Sequence, residues 1–243
     1  MSPVKSSSPL VRPAEHLARR LGLTFQDTAL LDSALRHRSA GSNNNERLEF
    51  LGDSVLNLII AEQLFRLRPD ATEGELSRLR ATLVREDSLA EVARELELGD
   101  YLTLGSGELK SGGFRRASIL ADALEALIGA VYLDRGFEQT VALVLRLFGD
   151  KLRDLPEAAV LKDPKTQLQE WLQSRQQDLP TYEVIEVKGA AHAQTFTVAC
   201  MVTGQSQPSI GKGSSRRKAE QAAAREMLNR VKTTQDQDKL KKT

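Results

Sequence analysis

Cysteine is nearly absent. Cys200 is the single one in 243 residues, so neither an internal disulfide nor a cysteine-rich zinc site can form. Histidine is almost as scarce: His16, His37 and His192 are the three, and no two stand at the helical spacing of a zinc pair. Long apolar runs are missing as well. The start, M-S-P-V-K-S-S-S-P-L, holds no apolar core of secretory length, and Ile119–Leu133 is interrupted by Asp122 and Glu125 and too short to span a bilayer. A reducing, cytoplasmic setting away from membranes is the expectation. An excess of one charge is missing too, with 34 Lys and Arg against 33 Asp and Glu. That balance looks unpromising for a protein that binds a polyanion, but it conceals two unlike halves. Residues 12–150 hold 17 cations against 22 acids, net −5, whereas residues 162–232 hold 11 against 7, net +4. What is present, 40% hydrophobic and 28% charged residues, excludes wholesale disorder. The length suits one large domain or two ordinary ones, each with a real core.

Residues 1–11 are rich in Ser and Pro and read as a mobile tail. From about Glu15 to Gly149 the pattern is helical, with an apolar stripe at three- and four-residue spacing in Leu48, Leu51, Val55, Leu58 and Ile59. Thr72 with Glu75 reads as a capping box, and Gly99 and Gly136 as helix stops. Gly105 to Gly113 reads as a glycine-rich loop. It lacks the preceding strand and the Gly-Lys-Ser/Thr ending of a nucleotide cradle. Residues 151–161 read as a linker with some helical character. Beyond it the grammar changes: a helix over Asp163–Arg175, alternating strands over Tyr182–Lys188 and Gln194–Val202, a short third strand over Gln207–Gly211, and an Ala-rich, serine-capped helix over Ser214–Val231. Helix, three strands, helix implies an antiparallel sheet with both helices on one face. Residues 233–243 read as a frayed polar tail.

The most informative segment is N-N-E-R-L-E-F-L-G-D-S-V-L, residues 44–56. Glu46, Glu49 and Asp53 stand at i, i+3 and i+7, on one helix face, where like charges repel at a cost of a few tenths of a kcal/mol each. A second helix, S-I-L-A-D-A-L-E-A-L-I-G-A, places Asp122 and Glu125 at i, i+3 in an otherwise apolar run. Solvated faces would accommodate Glu46, which has Arg38 and Arg47 as available partners. They fit Asp122 and Glu125 poorly, because an unpaired carboxylate drawn toward an interior is costly. A cation between the two acid pairs fits better, and an all-oxygen ligand set points to Mg²⁺ or Mn²⁺.

N-E-R-L-E-F-L-G-D-S (45–54), E-G-E-L-S-R-L-R-A-T-L-V (73–84), G-E-L-K-S-G-G-F-R-R (107–116) and I-L-A-D-A-L-E-A-L-I-G (119–129) together resemble bacterial ribonuclease III. K-D-P-K-T-Q-L-Q-E (162–170) and G-S-S-R-R-K-A-E-Q-A-A-A (213–224) resemble the double-stranded RNA-binding domain those enzymes carry. The resemblance implies an all-α endonuclease domain (12–150), then a linker and a small α-β-β-β-α RNA-binding domain (162–232). It implies a homodimer holding duplex RNA in a valley, no organic cofactor, and Mg²⁺-dependent cleavage of ribosomal precursors and other structured RNAs to 5′-phosphate and 3′-hydroxyl ends. By motif, Glu49, Asp122 and Glu125 would ligate metal, and Asp53 and Glu125 would be the residues whose loss most directly removes chemistry. Glu46 and Glu73 would border the site, although Glu73 reads equally as a first-turn acid beside Thr72. Phe50 would enter a socket on the partner subunit, the alternative being an ordinary core phenylalanine. Divalent ions bridged by carboxylates activate water and stabilise the leaving oxygen, and a pair would stand roughly 3.5–4 Å apart. One central ion is the other arrangement.

Duplex RNA is read mostly by shape, through 2′-hydroxyls and phosphates. The resemblance assigns Thr166, Gln169 and Glu170 to one minor groove and His192, otherwise a solvated loop histidine, to the next. Ser214, Ser215, Arg216, Arg217 and Lys218 place hydroxyls, free N–H groups and cations at a helix start, suited to phosphates. Glu220 stands where many relatives have a lysine, which predicts modest affinity. Trp171 reads as core. The rival reading, a non-catalytic duplex-RNA-binding protein on a degenerate nuclease fold, predicts lost acids, whereas Glu49, Asp53, Asp122 and Glu125 are all present.

Overall fold

The computed structural model describes residues 11–156, 162–190 and 193–240, and the chain divides into two compact units, Met1–Ala158 and Ala159–Thr243. The first unit is helical: α1 (Ala14–Arg20), α2 (Thr28–Ala34), α3 (Glu46–Leu67), α4 (Glu73–Val84), α5 (Glu86–Glu95), α6 (Ser106–Lys110) and α7 (Ala117–Arg153). The second contains α8 (Pro164–Gln173), β1 (Thr181–Lys188), β2 (Thr195–Met201), β3 (Ser209–Gly213) and α9 (Arg216–Leu240). No described helix is long and apolar enough to cross a membrane.

The first unit is organised around α7, which packs against α2, α3 and α5. Its first half is apolar nearly all round, and Leu120, Ala123, Leu124, Leu127 and Ile128 are buried. A buried helix of this kind needs neighbours on several sides, and α3 is the most extensive of them. The two helices meet backbone to backbone at a pair of glycines. A β-carbon on Gly52 would stand 1.8 Å from the Glu125 carbonyl oxygen, and one on Gly129 would stand 2.3 Å from that of Leu48. This approach sets Glu49 and Asp53 beside Asp122 and Glu125.

Punctuation follows the sequence in most places. The Glu75 carboxylate accepts the Thr72 backbone N–H at 2.9 Å. Gly136 interrupts α7 with φ 78°, a left-handed conformation that glycine adopts without the steric cost of a β-carbon. Elsewhere the structure corrects the expectation. Glu97 (φ 51°), not Gly99, is the left-handed residue after α5, and Gly99 lies in the 3₁₀ turn Leu98–Tyr101. The supposed loop at 105–113 contains α6, followed by a 3₁₀ turn at Gly113–Arg115. α7 extends to Arg153, inside the expected linker, whose residues 157–161 lie outside the described residues. α9 likewise continues to Leu240, past the expected end at Val231, because no Gly or Pro stands between them to stop it.

In the second unit the sheet has the order β1-β2-β3, antiparallel throughout, with Tyr182 opposite Cys200 and Val198 opposite Gly211. The β1 register shifts between Val184 and Glu186. β3 lies two residues later than its pattern suggested. α9 covers β2 and β3, with α8 beside it. One core joins Leu168 and Leu172 of α8, Cys200 of β2, and Ala223, Ala224 and Met227 of α9, with Tyr182 and Trp171 packed against it.

Candidate active site and nucleic-acid interface

Among the described residues, Glu49, Asp122 and Glu125 each offer a carboxylate oxygen, and the three oxygens lie within 4.8 Å of one another. All three side chains are half-buried. Burial, then the charges of Asp53, Glu49 and Asp122, pushes the Glu125 carboxyl up to about 8 from its ordinary 4.5. Burial followed by Asp122 raises Glu49, and burial followed by Glu86 raises Asp122. The raised carboxyls of Glu49, Asp122 and Glu125 show that ionising the cluster is costly and that Arg38 offsets it only in part, which is the electrostatic condition a divalent cation relieves. The ligand set is oxygen only and partly open to water, so it fits a hard cation.

Asp53 is exposed at the edge of the cluster, and its Oδ1 accepts a hydrogen bond from Asn57 Nδ2 at 2.7 Å. Glu46 is exposed and faces Arg38, with Arg38 Nη1 3.6 Å from its Oε1. Glu46, Glu49 and Asp122 line a cleft of about 770 Å³. The same lining includes His37, Arg116 and Ser118, to which sequence reasoning gave no role in the site, and Arg38, named there only as a partner for Glu46. Their signal was adjacency in sequence to the two acid helices. Glu73 is not brought to this cleft. It accepts a hydrogen bond from Ser77 Oγ at 2.8 Å in the first turn of α4 and lines a separate depression with Ala61 and Phe65.

Phe50 is 78% exposed, so the core alternative is overturned. It begins a stripe along α3 that continues through Leu58 (58% exposed) and Phe65 (71% exposed), on the side away from α7. Periodicity could not separate the two apolar faces, because α3 has one toward the core and another toward solvent.

In the second unit the serine cap sits one residue later than expected. Ser215 Oγ accepts the Lys218 N–H at 3.3 Å, and Lys218 Nζ reaches Ser214 Oγ at 3.3 Å. Arg216, Arg217 and Lys218 are exposed around this helix start. On α8, Thr166 is engaged within the chain, its Oγ1 donating to Asp163 Oδ2 at 2.8 Å, and Glu170 accepts from Lys162. Gln169 is half-buried on the same helix. His192 lies outside the described residues. Trp171 is core-packed, with the Arg175 guanidinium 3.9 Å over its ring.

Glu220 does more than subtract a charge. It accepts from Lys165 Nζ at 2.7 Å and Arg216 Nε at 2.9 Å, and these cations hold its carboxyl below the usual range. Beside it, Gln221 Nε2 donates to Asp163 Oδ1 at 2.8 Å and Gln221 Oε1 accepts the Lys165 N–H at 3.1 Å. The starts of α8 and α9 are therefore locked together.

Known proteins match along both units. Residues 27–152 match the model of the Ribonuclease-III-like family, and residues 164–231 match that of the double-stranded RNA binding motif. The chain is 57% identical over 219 residues to a protein named Ribonuclease 3 from Vibrio cholerae, covering 90% of this chain and 97% of that one. It is 61% identical over 214 residues to one of the same name from Hahella chejuensis, covering 88% and 95%. Among solved structures, the nuclease domain of ribonuclease III from Campylobacter jejuni, described with flexibility in a region involved in dimer formation, is similar with a TM-score of 0.56 and 47% identity, over 57% of this chain and 97% of that one. Helical unit, acid cluster, RNA-binding unit and sequence relatives converge: the chain belongs to the ribonuclease III family.

Proposed function

We propose that this chain is a Mg²⁺-dependent endoribonuclease that cuts double-stranded RNA, in ribosomal precursors and other structured RNAs, to 5′-phosphate and 3′-hydroxyl ends, with Mn²⁺ able to substitute. The observation that carries the reading is the trio of carboxylate oxygens within 4.8 Å, set on two packed helices, two of whose bearers, Glu49 and Asp122, line a polar cleft. Glu49, Asp122 and Glu125 would hold the ion, which when bound supplies positive charge to a phosphodiester and lowers the pKa of water. The protein's own part is placement. Half-burial limits the water that can solvate the three carboxylates, and α3 and α7 hold them side by side. Asp53, with Oδ1 held by Asn57, offers Oδ2 to orient an incoming water and take its proton.

Two further elements belong to the proposal. The Phe50–Leu58–Phe65 stripe is the seat of a homodimer contact, since an exposed apolar face of this kind marks an interaction surface. The starts of α8 and α9 carry the duplex, with Arg216, Arg217 and Lys218 on phosphates and Thr166, Gln169, Glu170 and His192 toward the minor grooves. The working place of the enzyme is the cytoplasm, and no organic cofactor enters the chemistry.

The test is cleavage of a long RNA duplex by the purified protein, with product ends resolved on a sequencing gel. With Mg²⁺ the protein cuts, and with chelator or Ca²⁺ it only binds. Glu125→Ala binds nearly normally and fails to cut, and undiminished cleavage by that variant overturns the site assignment. Removing residues from Asp163 onward weakens binding and restricts activity to low salt while leaving the chemistry in place.

A further inference from the structure

An acidic centre that takes a phosphodiester faces an electrostatic problem that a bound ion solves only at the acids. The rest of the cleft must also tolerate the RNA backbone. Beside the acids, its lining includes the turn from His37 through the 3₁₀ segment Arg38–Ala40, together with Arg116. Arg116 is committed to the protein, with Nη1 2.9 Å from Glu108 Oε2 and Nη2 3.3 Å from Ser111 Oγ. Arg38 is not so committed. Its side chain is 70% exposed and its described contact is a long one, 3.6 Å to Glu46 Oε1. A guanidinium carries five N–H donors, and a single exposed pair of that length holds it weakly. Trading Glu46 for a phosphate therefore costs little, and the fork geometry suits phosphate oxygens.

His37 is set up differently. Its Nδ1 accepts the Ser39 N–H at 3.2 Å and lies 2.8 Å from Ser39 Oγ. Ser39 Oγ in turn accepts the Gly105 N–H at 2.9 Å, which leaves its hydroxyl proton free to point at Nδ1. With Nδ1 an acceptor, the neutral ring carries its proton on Nε2. The half-buried ring borders the cleft and is held by its own turn and by the start of α6. A donor of fixed tautomer thus stands next to a cation whose pairing is weak.

We propose that the His37–Ser39 turn is a receiving site for one RNA backbone phosphate, bound by the Arg38 guanidinium and the His37 Nε2–H. This rests on the reading of the cleft as that of a duplex-RNA nuclease, and it assigns two residues outside the acid set to substrate binding. Arg38 supplies charge and His37 orientation.

The test uses the full chain, wild type beside Arg38→Gln, Arg38→Lys, His37→Ala and the double variant Arg38→Gln/Glu46→Gln, in single-turnover cleavage of an RNA duplex with Mg²⁺ across a salt series. Arg38→Gln is expected to lower kcat/KM by about tenfold to a hundredfold, the range of a charge-assisted hydrogen bond. The slope of its log rate against log salt should become shallower by about one, the signature of a lost phosphate contact. Arg38→Lys should recover part of both, whereas His37→Ala should lower the rate with the slope kept. Tm should stay at the wild-type value in Arg38→Gln and Mn²⁺ affinity should not fall, since the lost cation faces Glu49 and Asp122. Cleavage by Arg38→Gln within twofold of wild type and with the same slope overturns the proposal. So does restoration of the rate by adding Glu46→Gln, which would make Arg38 a mere neutraliser of that acid. A wild type that does not cut duplex RNA with either ion overturns the nuclease reading itself, an outcome distinct from the other two.

Discussion

Replacing Gly52 with alanine tests the idea that one backbone contact assembles the centre. The new β-carbon would stand 1.8 Å from the Glu125 carbonyl oxygen and 2.6 Å from its carbon, and real β-carbons essentially never come closer than 3.0 Å. α3 and α7 must therefore part by about 1.2 Å at the level of the acids. Alanine favours a helix over glycine by roughly 1 kcal/mol, whereas overpacking a close-packed interior costs roughly 1–3 kcal/mol, so the net stability loss is about 0–2 kcal/mol. For a unit of this size that lowers Tm by up to about 8 °C, since about 1 kcal/mol shifts Tm by roughly 2–4 °C. Function should suffer far more. Glu49 and Asp53 travel with α3 while Asp122 and Glu125 stay with α7, and a displacement near 1 Å costs about a hundredfold in a positioned reaction. Single-turnover cleavage with saturating Mg²⁺, Mn²⁺ titration by calorimetry and thermal melts separate the two effects. Duplex binding in Ca²⁺ should remain near wild type, because the second unit is untouched. Gly149→Ala is the control: nothing lies within 4 Å of its β-carbon, so it should stabilise α7 and leave cleavage alone. Gly52→Ala cutting within threefold of wild type with unchanged Mn²⁺ affinity would refute the reasoning.

Without metal, the Glu125 carboxyl pushed up to about 8 gives the folded chain an extra proton between pH 4.5 and 8, so stability falls as pH rises through that window. The first unit's Tm in chelator should decline from pH 5 to 8, Glu125→Gln should flatten the decline, and Mg²⁺ should raise Tm most at pH 8. At Glu220, substitution by lysine puts a third cation beside Lys165 and Arg216 around a side chain only 12% exposed, and should lower the second unit's Tm and its duplex affinity together. A gain in affinity, measured by filter binding at fixed salt, would show that charge outweighs the α8–α9 lock. Phe50→Asp should shift the chain from dimer to monomer in light scattering at micromolar concentration, since losing a central aromatic anchor costs about 2 kcal/mol or more. An unchanged mass would locate the contact elsewhere.

The elements that were legible in sequence are those whose signal is local. α8 and α9 and all three strands follow from alternation, caps and the Ala-rich run, because each pattern is created by a core one layer away. α3 and α7 were legible as helices, and their acids as a set, since period alone puts Glu49 with Asp53 and Asp122 with Glu125. That the two pairs face each other is a long-range fact. It depends on Gly52 lying against Glu125 and Gly129 against Leu48, and a glycine inside a helical run looks the same from sequence whether it packs on backbone or on nothing, as Gly149 does.

The same limit explains Phe50, Glu220 and the cleft wall. A helix apolar on two faces carries no mark of which face is covered by its own chain, so Phe50 stayed divided between core and partner until its exposure was measured. Glu220 read as a lost phosphate contact because only its charge was visible. Its two partners lie 55 residues upstream and four residues upstream, and the nearer one alone looks like an ordinary helical pair. His37 was weighed in sequence only as a metal ligand, by its spacing, whereas the question a histidine answers in this cleft is which nitrogen keeps the proton. That is decided by Ser39 and, through it, by Gly105, 66 residues from Ser39 along the chain. The acids, which announce themselves by their mutual repulsion, were found early. The groups proposed to receive a phosphate, His37 and Arg38, repel nothing, so they stand out only where folding sets them along the cleft that Glu49 and Asp122 also line.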